Sequence, residues 1–258
     1  MPTGSLTVVG TGIQAAGHLT SEARLAVEQA DEALYLVNDP VTAAWIERVN
    51  PKPRSLTPFY EQGKNRREIY RAIVDEIVSR VREGVDVCAI LYGHPGVFAW
   101  PGHESIRRLR AEGFRARMLP GISTADCVTA DLGLDPADTG CQSYEATDFL
   151  VRPRTIDKGA LLILWQVGLI GEWRFNPIPS MRGLPLLVER LLELYPPEHE
   201  TILYEASPYP TSDPIVQRLE LGAVPKAEIS PVVTMVVPPL AEPEFDQEML
   251  ERVRQRLS

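Results

Sequence analysis

Several absences set the first limits. The chain of 258 residues has three cysteines, Cys88, Cys127 and Cys141, an odd number without CxxC spacing. That leaves neither a disulfide framework nor a cysteine zinc site and fits reduced thiols in a cytoplasmic setting. Its four histidines lack metal-ligand spacing, so no metal is expected. No apolar run approaches the roughly 20 residues of a membrane span, and the N-terminus lacks a basic stretch followed by an apolar core. Positive charge is scarce as well: a formal net charge of -9 argues against a general phosphate-backbone binder, and neither nucleic acid nor a membrane is an expected partner. The dinucleotide fingerprint GxGxxG is missing too, because Gly10 and Gly12 are followed next by Gly17; a nicotinamide reading loses its support.

What is present is an ordinary folded composition, 44% apolar and 24% charged, in a chain long enough for two α/β domains with separate sheets. Strand and helix patterns alternate: strands over 6–9, 33–37 and 85–91, helices over 20–30, 65–84 and 103–112, and a strand over 115–119. Such a pitch predicts mainly parallel or mixed sheets with helices on their faces, and ligands gather beyond the carboxyl ends of such strands. Gly10-Thr11-Gly12, Asn38-Asp39 and the heptapeptide Tyr92-Gly93-His94-Pro95-Gly96-Val97-Phe98 would share that rim. The heptapeptide's glycines and proline break the strand abruptly and bring main-chain groups to a ligand, while Tyr92, Val97 and Phe98 supply apolar walls. Pro120-Gly121 marks a turn, after which Ser123 or Thr124 caps a helix to about residue 132. The expected domains are 1–119 and 120–240, with a terminal helical segment over 241–258.

The pattern then restarts, with strands over 143–145, 160–166, 201–204 and 232–237, helices over 184–194 and 214–222, and a final amphipathic helix over 245–257. Gln166, polar after an apolar run, falls at the rim of the second sheet. In the first half, Arg66 and Tyr70 are neighbours one helical turn apart, and the preceding loop carries Tyr60, so the three converge at the start of the 65–84 helix.

These motifs, in this order over nearly the whole chain, resemble the S-adenosylmethionine-dependent tetrapyrrole methylase superfamily. Within it the chain is similar to the borosin peptide backbone α-N-methyltransferases, on Gly4-Ser5-Leu6-Thr7-Val8-Val9-Gly10-Thr11-Gly12-Ile13, the stretch 60–70, the Tyr92 heptapeptide, Ala116-Arg117-Met118-Leu119-Pro120-Gly121, Tyr144-Glu145-Ala146, Asp148-Phe149-Leu150 and Gln166-Val167-Gly168. The resemblance implies two α/β domains with the cofactor in the cleft between them, a homodimer, and α-N-methylation of a ribosomal peptide. It places Tyr60, Arg66 and Tyr70 on the catalytic cluster. Cofactor contacts would come from Gly10, Gly12, Tyr92, Gly93, His94, Pro95, Val97, Phe98, Ser123, Thr124, Gln166 and Thr234. Fused members carry their substrate as a C-terminal extension, whereas about 20 residues follow the last strand here; the expected partner is therefore a separate precursor peptide with a helical leader and an apolar core.

An amide nitrogen is a weak nucleophile because its lone pair is delocalised. The expected chemistry is proton removal by a phenolate-like tyrosine, Tyr70 in the preferred assignment although the two tyrosines are exchangeable, with Tyr60 or Arg66 donating to the developing imidate oxygen. The rival readings are a C-methyltransferase of a tetrapyrrole precursor and a catalytically silent peptide-binding member of the fold.

Overall fold

The computed structural model describes residues 3–241 and 244–257, so residues 1–2, 242–243 and 258 of the expected segments lie outside the described residues. The chain divides into two units, Met1–Gly133 with Glu172–Ile178 and Ala206–Ile215, and Leu134–Gly171 with Pro179–Glu205 and Val216–Ser258. The sequence places a domain boundary at 119/120; the first unit continues through the following helix and takes in two later segments.

In the first unit the elements run β1 (Ser5–Gly10), α1 (Ser21–Gln29), β2 (Glu32–Leu36), α2 (Pro40–Val49), β3 (Pro53–Ser55), α3 (Arg66–Arg82), β4 (Asp86–Leu91), α4 (Trp100–Ala111), β5 (Arg115–Met118) and α5 (Thr124–Leu132). The sheet order is β3-β2-β4-β1-β5, and each pairing is parallel. Gly10 and Leu36 both pair with Leu91. Three strands thus end at one level, and the loops after them share a rim.

Helix α3 shows how sequence becomes packing. Asn65 caps it by accepting from the Arg67 amide, and Ile69, Ile73, Val74, Ile77, Val78 and Val81 are buried, each worth roughly 1.5–3 kcal/mol of removed apolar surface. Ile69 takes the core position at the start of this stripe, and Tyr70, partly buried, packs against the same core. Arg80 Nε donates to Glu32 Oε2 at 2.8 Å, fastening the far end of α3 to β2. Helix α2 was not foreseen, although Asp39 accepts from the Thr42 amide and Pro40 opens the helix, an ordinary start signal.

The second unit contains α6 (Pro136–Thr139), β6 (Cys141–Glu145), α7 (Ala146–Val151), β7 (Leu161–Trp165), α8 (Leu184–Leu192), β8 (Glu200–Glu205), β9 (Ile215–Glu220), β10 (Thr234–Val237) and α9 (Gln247–Leu257). Its order is β6-β7-β10-β8-β9. β6 runs parallel to β7, while β10 is antiparallel to β7 and β8. This mixed sheet buries Leu162, Leu164, Leu187, Leu203 and Met235 in a single core.

One expected element is corrected. Residues 214–222 are not a helix: β9 occupies 215–220 and a 3-10 turn follows over Leu221–Lys226. Exposure along 216–220 alternates residue by residue, Ile215 and Val216 are β-branched, and β8 offers an edge to pair with. Thr201 Oγ1 donates to the Leu219 carbonyl at 3.1 Å and the Leu221 amide to the His199 carbonyl at 2.9 Å. Tertiary pairing overrides weak local preference here.

Candidate active site

The strand-end loops are locked together through backbone. The Gly12 amide donates to the Gly93 carbonyl at 3.2 Å and the Gly93 amide to the Gly12 carbonyl at 3.0 Å. A Cβ on Gly10 would run into the Gly93 carbonyl oxygen and come within 2.7 Å of Pro95 Cδ. Gly12 has φ +72°, a conformation that favours glycine. From the next strand end, a Cβ on Gly121 would meet Pro95 Cδ at 3.2 Å. The residues expected at 10, 12, 93 and 95 are therefore assembled in the first unit, and the glycines permit the close approach.

His18 is a member of this assembly that motif reading missed. Its Nδ1 accepts from the Ile13 amide at 3.3 Å and the Gln14 amide at 3.2 Å, which fixes the ring proton on the other nitrogen. Burial lowers its pKa, opposed by the nearby Asp131 and Asp126. The available signal was only a histidine six residues after a Gly-x-Gly turn, which is too general to single out.

His94 Nδ1 accepts from the Gly96 amide at 3.0 Å, and its carbonyl from the Val97 amide at 3.1 Å. Gly96 in turn gives its carbonyl to His103 Nε2 at 2.9 Å. Val97 and Phe98 project with 44% and 52% of their surface exposed, and Tyr92 is partly open. Phe98 has φ +52°, which is uncommon outside glycine and recurs where backbone is held for a ligand.

At α5 the cap is Ser123, not Thr124. Ser123 Oγ donates to Asp126 Oδ2 at 2.7 Å and accepts from the Ala125 amide at 3.2 Å, and the Ser123 amide donates to the same carboxylate oxygen at 2.6 Å. Burial alone would push the Asp126 carboxyl up, but these bonds and the neighbouring His94 bring it below its ordinary value. The Ser123 hydroxyl is thus committed to the fold, and Thr124 Oγ1 has no protein partner among the described residues.

The other cluster is made of side chains. Tyr60 follows a 3-10 turn over Thr57–Phe59, Arg66 opens α3 and Tyr70 lies one turn further on. Burial, the largest influence, pushes the Tyr60 phenol well above the ordinary tyrosine range; Tyr70 adds to the rise by charge and by a shared hydrogen bond, and the Arg66 cation opposes it. Arg66 Nε donates to the Glu172 carbonyl at 2.9 Å.

The stretch Glu172–Ile178 completes the cluster although nothing in the sequence marked it. It runs antiparallel beside the loop before α3, with a bridge between Asn65 and Arg174. The Gly63 amide donates to the Phe175 carbonyl at 2.8 Å, the Phe175 amide to the Lys64 carbonyl at 2.9 Å and the Arg66 amide to the Trp173 carbonyl at 3.1 Å. The only hint was the alternation of Trp173 and Phe175 around Arg174, a pattern also common in surface loops.

Gln166 and Thr234 belong to the second unit. Gln166 ends β7 with φ 58° and opens a 3-10 turn, while Thr234 begins β10, buried, opposite Tyr204. A cavity of about 640 Å³ bordered by Ser5, Thr7, Arg110, Phe114, Arg115 and Arg117 lies on the β1/β5 side of the first sheet. None of the expected site residues lines it.

The chain is similar to two fungal proteins. It is 38% identical over 253 residues to the methyltransferase/ribosomally synthesized cyclic peptide dendrothelin A precursor of Dendrothele bispora, covering 96% of this chain and 60% of that protein. It is 38% identical over 256 residues to the corresponding omphalotin A precursor of Omphalotus olearius, covering 97% and 61%. The chain therefore spans about 60% of the length of these curated relatives. Among solved structures, a uroporphyrin-III-C-methyltransferase from Thermus thermophilus shares the fold with a TM-score of 0.67 at 21% identity, over 95% of this chain and 99% of that one. A Thermus thermophilus uroporphyrin-III C-methyltransferase complexed with S-adenosylhomocysteine matches at 0.62 and 19%, over 91% and 97%. The model of the Tetrapyrrole (Corrin/Porphyrin) Methylases matches residues 5–220. With that match across most of the 258 residues, two α/β sheets and interlocked strand-end loops, the chain belongs to the tetrapyrrole methylase family.

Proposed function

We propose that this chain is an S-adenosylmethionine-dependent methyltransferase that methylates backbone amide nitrogens of a peptide supplied as a separate molecule. The observation that carries the reading is the meeting of Tyr60, Tyr70 and Arg66 in the first unit. The names of the fungal relatives, which join a methyltransferase to a ribosomal peptide precursor, point the same way.

The strand-end loops fit the cofactor. A Cβ would collide at Gly10 and Gly12 and would crowd Pro95 at Gly121, Tyr92, Val97 and Phe98 stand exposed beside them, and Thr124 opens α5. When bound, S-adenosylmethionine supplies an electrophilic methyl group on a sulfonium. The chain's own residues prepare the amide. Tyr70, in its phenolate form, takes the N–H proton and becomes the neutral phenol, while the negative charge passes to the amide and its carbonyl oxygen. Tyr60, held neutral by burial, donates its O–H to that oxygen, and Arg66 stabilises the anion by charge, which is strengthened wherever water is excluded. The raised Tyr60 phenol supports the donor role for it, and on that ground Tyr70 is assigned the base.

The test is to incubate the purified chain and S-adenosylmethionine with candidate precursor peptides and to locate added methyl groups by fragment masses. The expected result is methyl on backbone nitrogen, lost in Arg66→Ala. Methyl on carbon or side chains, or cofactor binding without transfer, would overturn the reading.

A further inference from the structure

The segment Glu172–Ile178 lies beside the reacting cluster, and its Phe175 packs, partly buried, against the core of the first unit together with Tyr60 and Tyr70. The Phe175 ring meets Tyr60 edge to face, with centroids 5.2 Å apart and an interplanar angle of 77°. The Arg66 guanidinium carbon lies 5.9 Å from the centre of the same ring, within the range of a cation–π contact. One aromatic ring thus borders both the donor phenol and the stabilising cation, which otherwise belong to different elements: Tyr60 to the loop after a 3-10 turn and Arg66 to the first turn of α3.

The backbone holding that ring is fixed independently of the side chain. Phe175 exchanges hydrogen bonds with Lys64 and Gly63 through its own amide and carbonyl, Arg174 Nη1 donates to the Gly63 carbonyl at 2.8 Å, and the Glu172 carbonyl takes Arg66 Nε. A change of side chain at 175 therefore alters what Tyr60 and Arg66 lean on while the main-chain pairing persists.

We propose that Phe175 is a positioning residue for the methyl transfer, using one ring to set the Tyr60 hydroxyl and the Arg66 guanidinium relative to each other. The inference rests on the role assigned above to Tyr60 and Arg66. Phe175 touches neither proton nor methyl group. It removes water from one side of Tyr60, keeping the phenol protonated and therefore a donor, and it restricts the long Arg66 side chain to an orientation that its single backbone bond leaves free to rotate. Misplacing groups by a fraction of an ångström is costly in a transition state whose charge they must meet.

The test compares Phe175→Leu, which keeps apolar volume but removes the ring, with Phe175→Tyr, which keeps the ring. Peptide methylation by Phe175→Leu is expected to lose kcat roughly 10- to 100-fold while the KM for S-adenosylmethionine stays within about twofold, and Phe175→Tyr should retain most of kcat. A second readout needs no turnover: the ionisation of Tyr60, followed by tyrosinate absorbance and assigned by its disappearance in Tyr60→Phe, should move down toward the ordinary range in Phe175→Leu and stay high in Phe175→Tyr. Phe175→Met takes the place of the leucine variant if that protein does not fold. Unchanged kcat together with an unmoved Tyr60 titration would overturn the inference, as would equal losses in the leucine and tyrosine variants. Should the wild-type chain methylate no peptide, the proposed function falls and the Tyr60 titration alone decides: a downward move supports the positioning role, and no move overturns it.

Discussion

The strand-end loops and the tyrosine cluster lie in the same unit yet are held by opposite means. The loops are a backbone construction: Gly12 and Gly93 are joined by amides and carbonyls, and the close approach of Gly10 to Gly93 depends on the absence of a Cβ atom. The cluster is a meeting of side chains, in which the Phe175 ring lies against both Tyr60 and Arg66 and Tyr60 shares a hydrogen bond with Tyr70. The difference teaches what each region tolerates. A backbone-built binding surface resists change in side chains but not the addition of a Cβ, whereas the cluster can lose an oxygen atom, keep its fold and still lose its chemistry.

The largest expected effect falls on the cluster. Tyr70→Phe should lower kcat by about 10²- to 10⁴-fold, the usual contribution of a general base, with cofactor affinity and thermal midpoint unchanged. Calorimetric cofactor binding beside peptide methylation rates checks this. Equal loss of cofactor binding would erase the contrast, because the tyrosine would then belong to both regions.

A smaller effect, of the other kind, belongs to Gly10→Ala. The added methyl meets the Gly93 carbonyl and Pro95, and forcing volume into such a position costs typically 1–3 kcal/mol. Denaturant unfolding should show that loss, with cofactor binding weakened in parallel. Wild-type stability in this variant would mean that the loops are looser than their hydrogen bonds indicate.

The smallest effect comes from pH at His18. Its folded pKa lies below the ordinary value of 6.5 because burial disfavours the cation. A group of this kind adds stability above its unfolded pKa and loses that contribution as pH falls from about 6.5 through the lower folded value. Protonation also removes the acceptor used by the Ile13 and Gln14 amides, two bonds worth about 1 kcal/mol each. Amide exchange at residues 13 and 14, measured relative to distant amides of the same sheet, should accelerate below that pH and be fast at all pH values in His18→Ala. The Gly63 and Phe175 amides beside the tyrosine cluster are bonded to carbonyls and not to a histidine, and they should show no such step relative to the same reference amides.

Much of the first region was legible from the chain alone. Short apolar runs announced β1 and β4 and the 3.6 period announced α3, and the two glycines after β1 and the heptapeptide after β4 announced abrupt strand ends. Parallel pairing then had to place those ends on a common rim. Helix spacing also brought Arg66 beside Tyr70. The C-terminal half was less legible: β9 read as a helix because a short edge strand has little periodicity of its own, and its identity comes from the open edge of β8.

What the sequence determined by itself is what neighbouring residues impose on one another: the alternating α/β pattern, the glycine turns and the helix that carries Arg66 and Tyr70. Only the tertiary structure decided which phenol is buried, that Ser123 is spent on a cap, and that a segment 106 residues away in the chain receives Arg66 Nε on its carbonyl. Backbone hydrogen bonds accept almost any side chain, so Glu172 and Phe175 carry no local mark of their partners. Burial, likewise, belongs to the packed molecule, and it is the largest influence that keeps Tyr60, one of eight tyrosines, protonated beside the Arg66 cation.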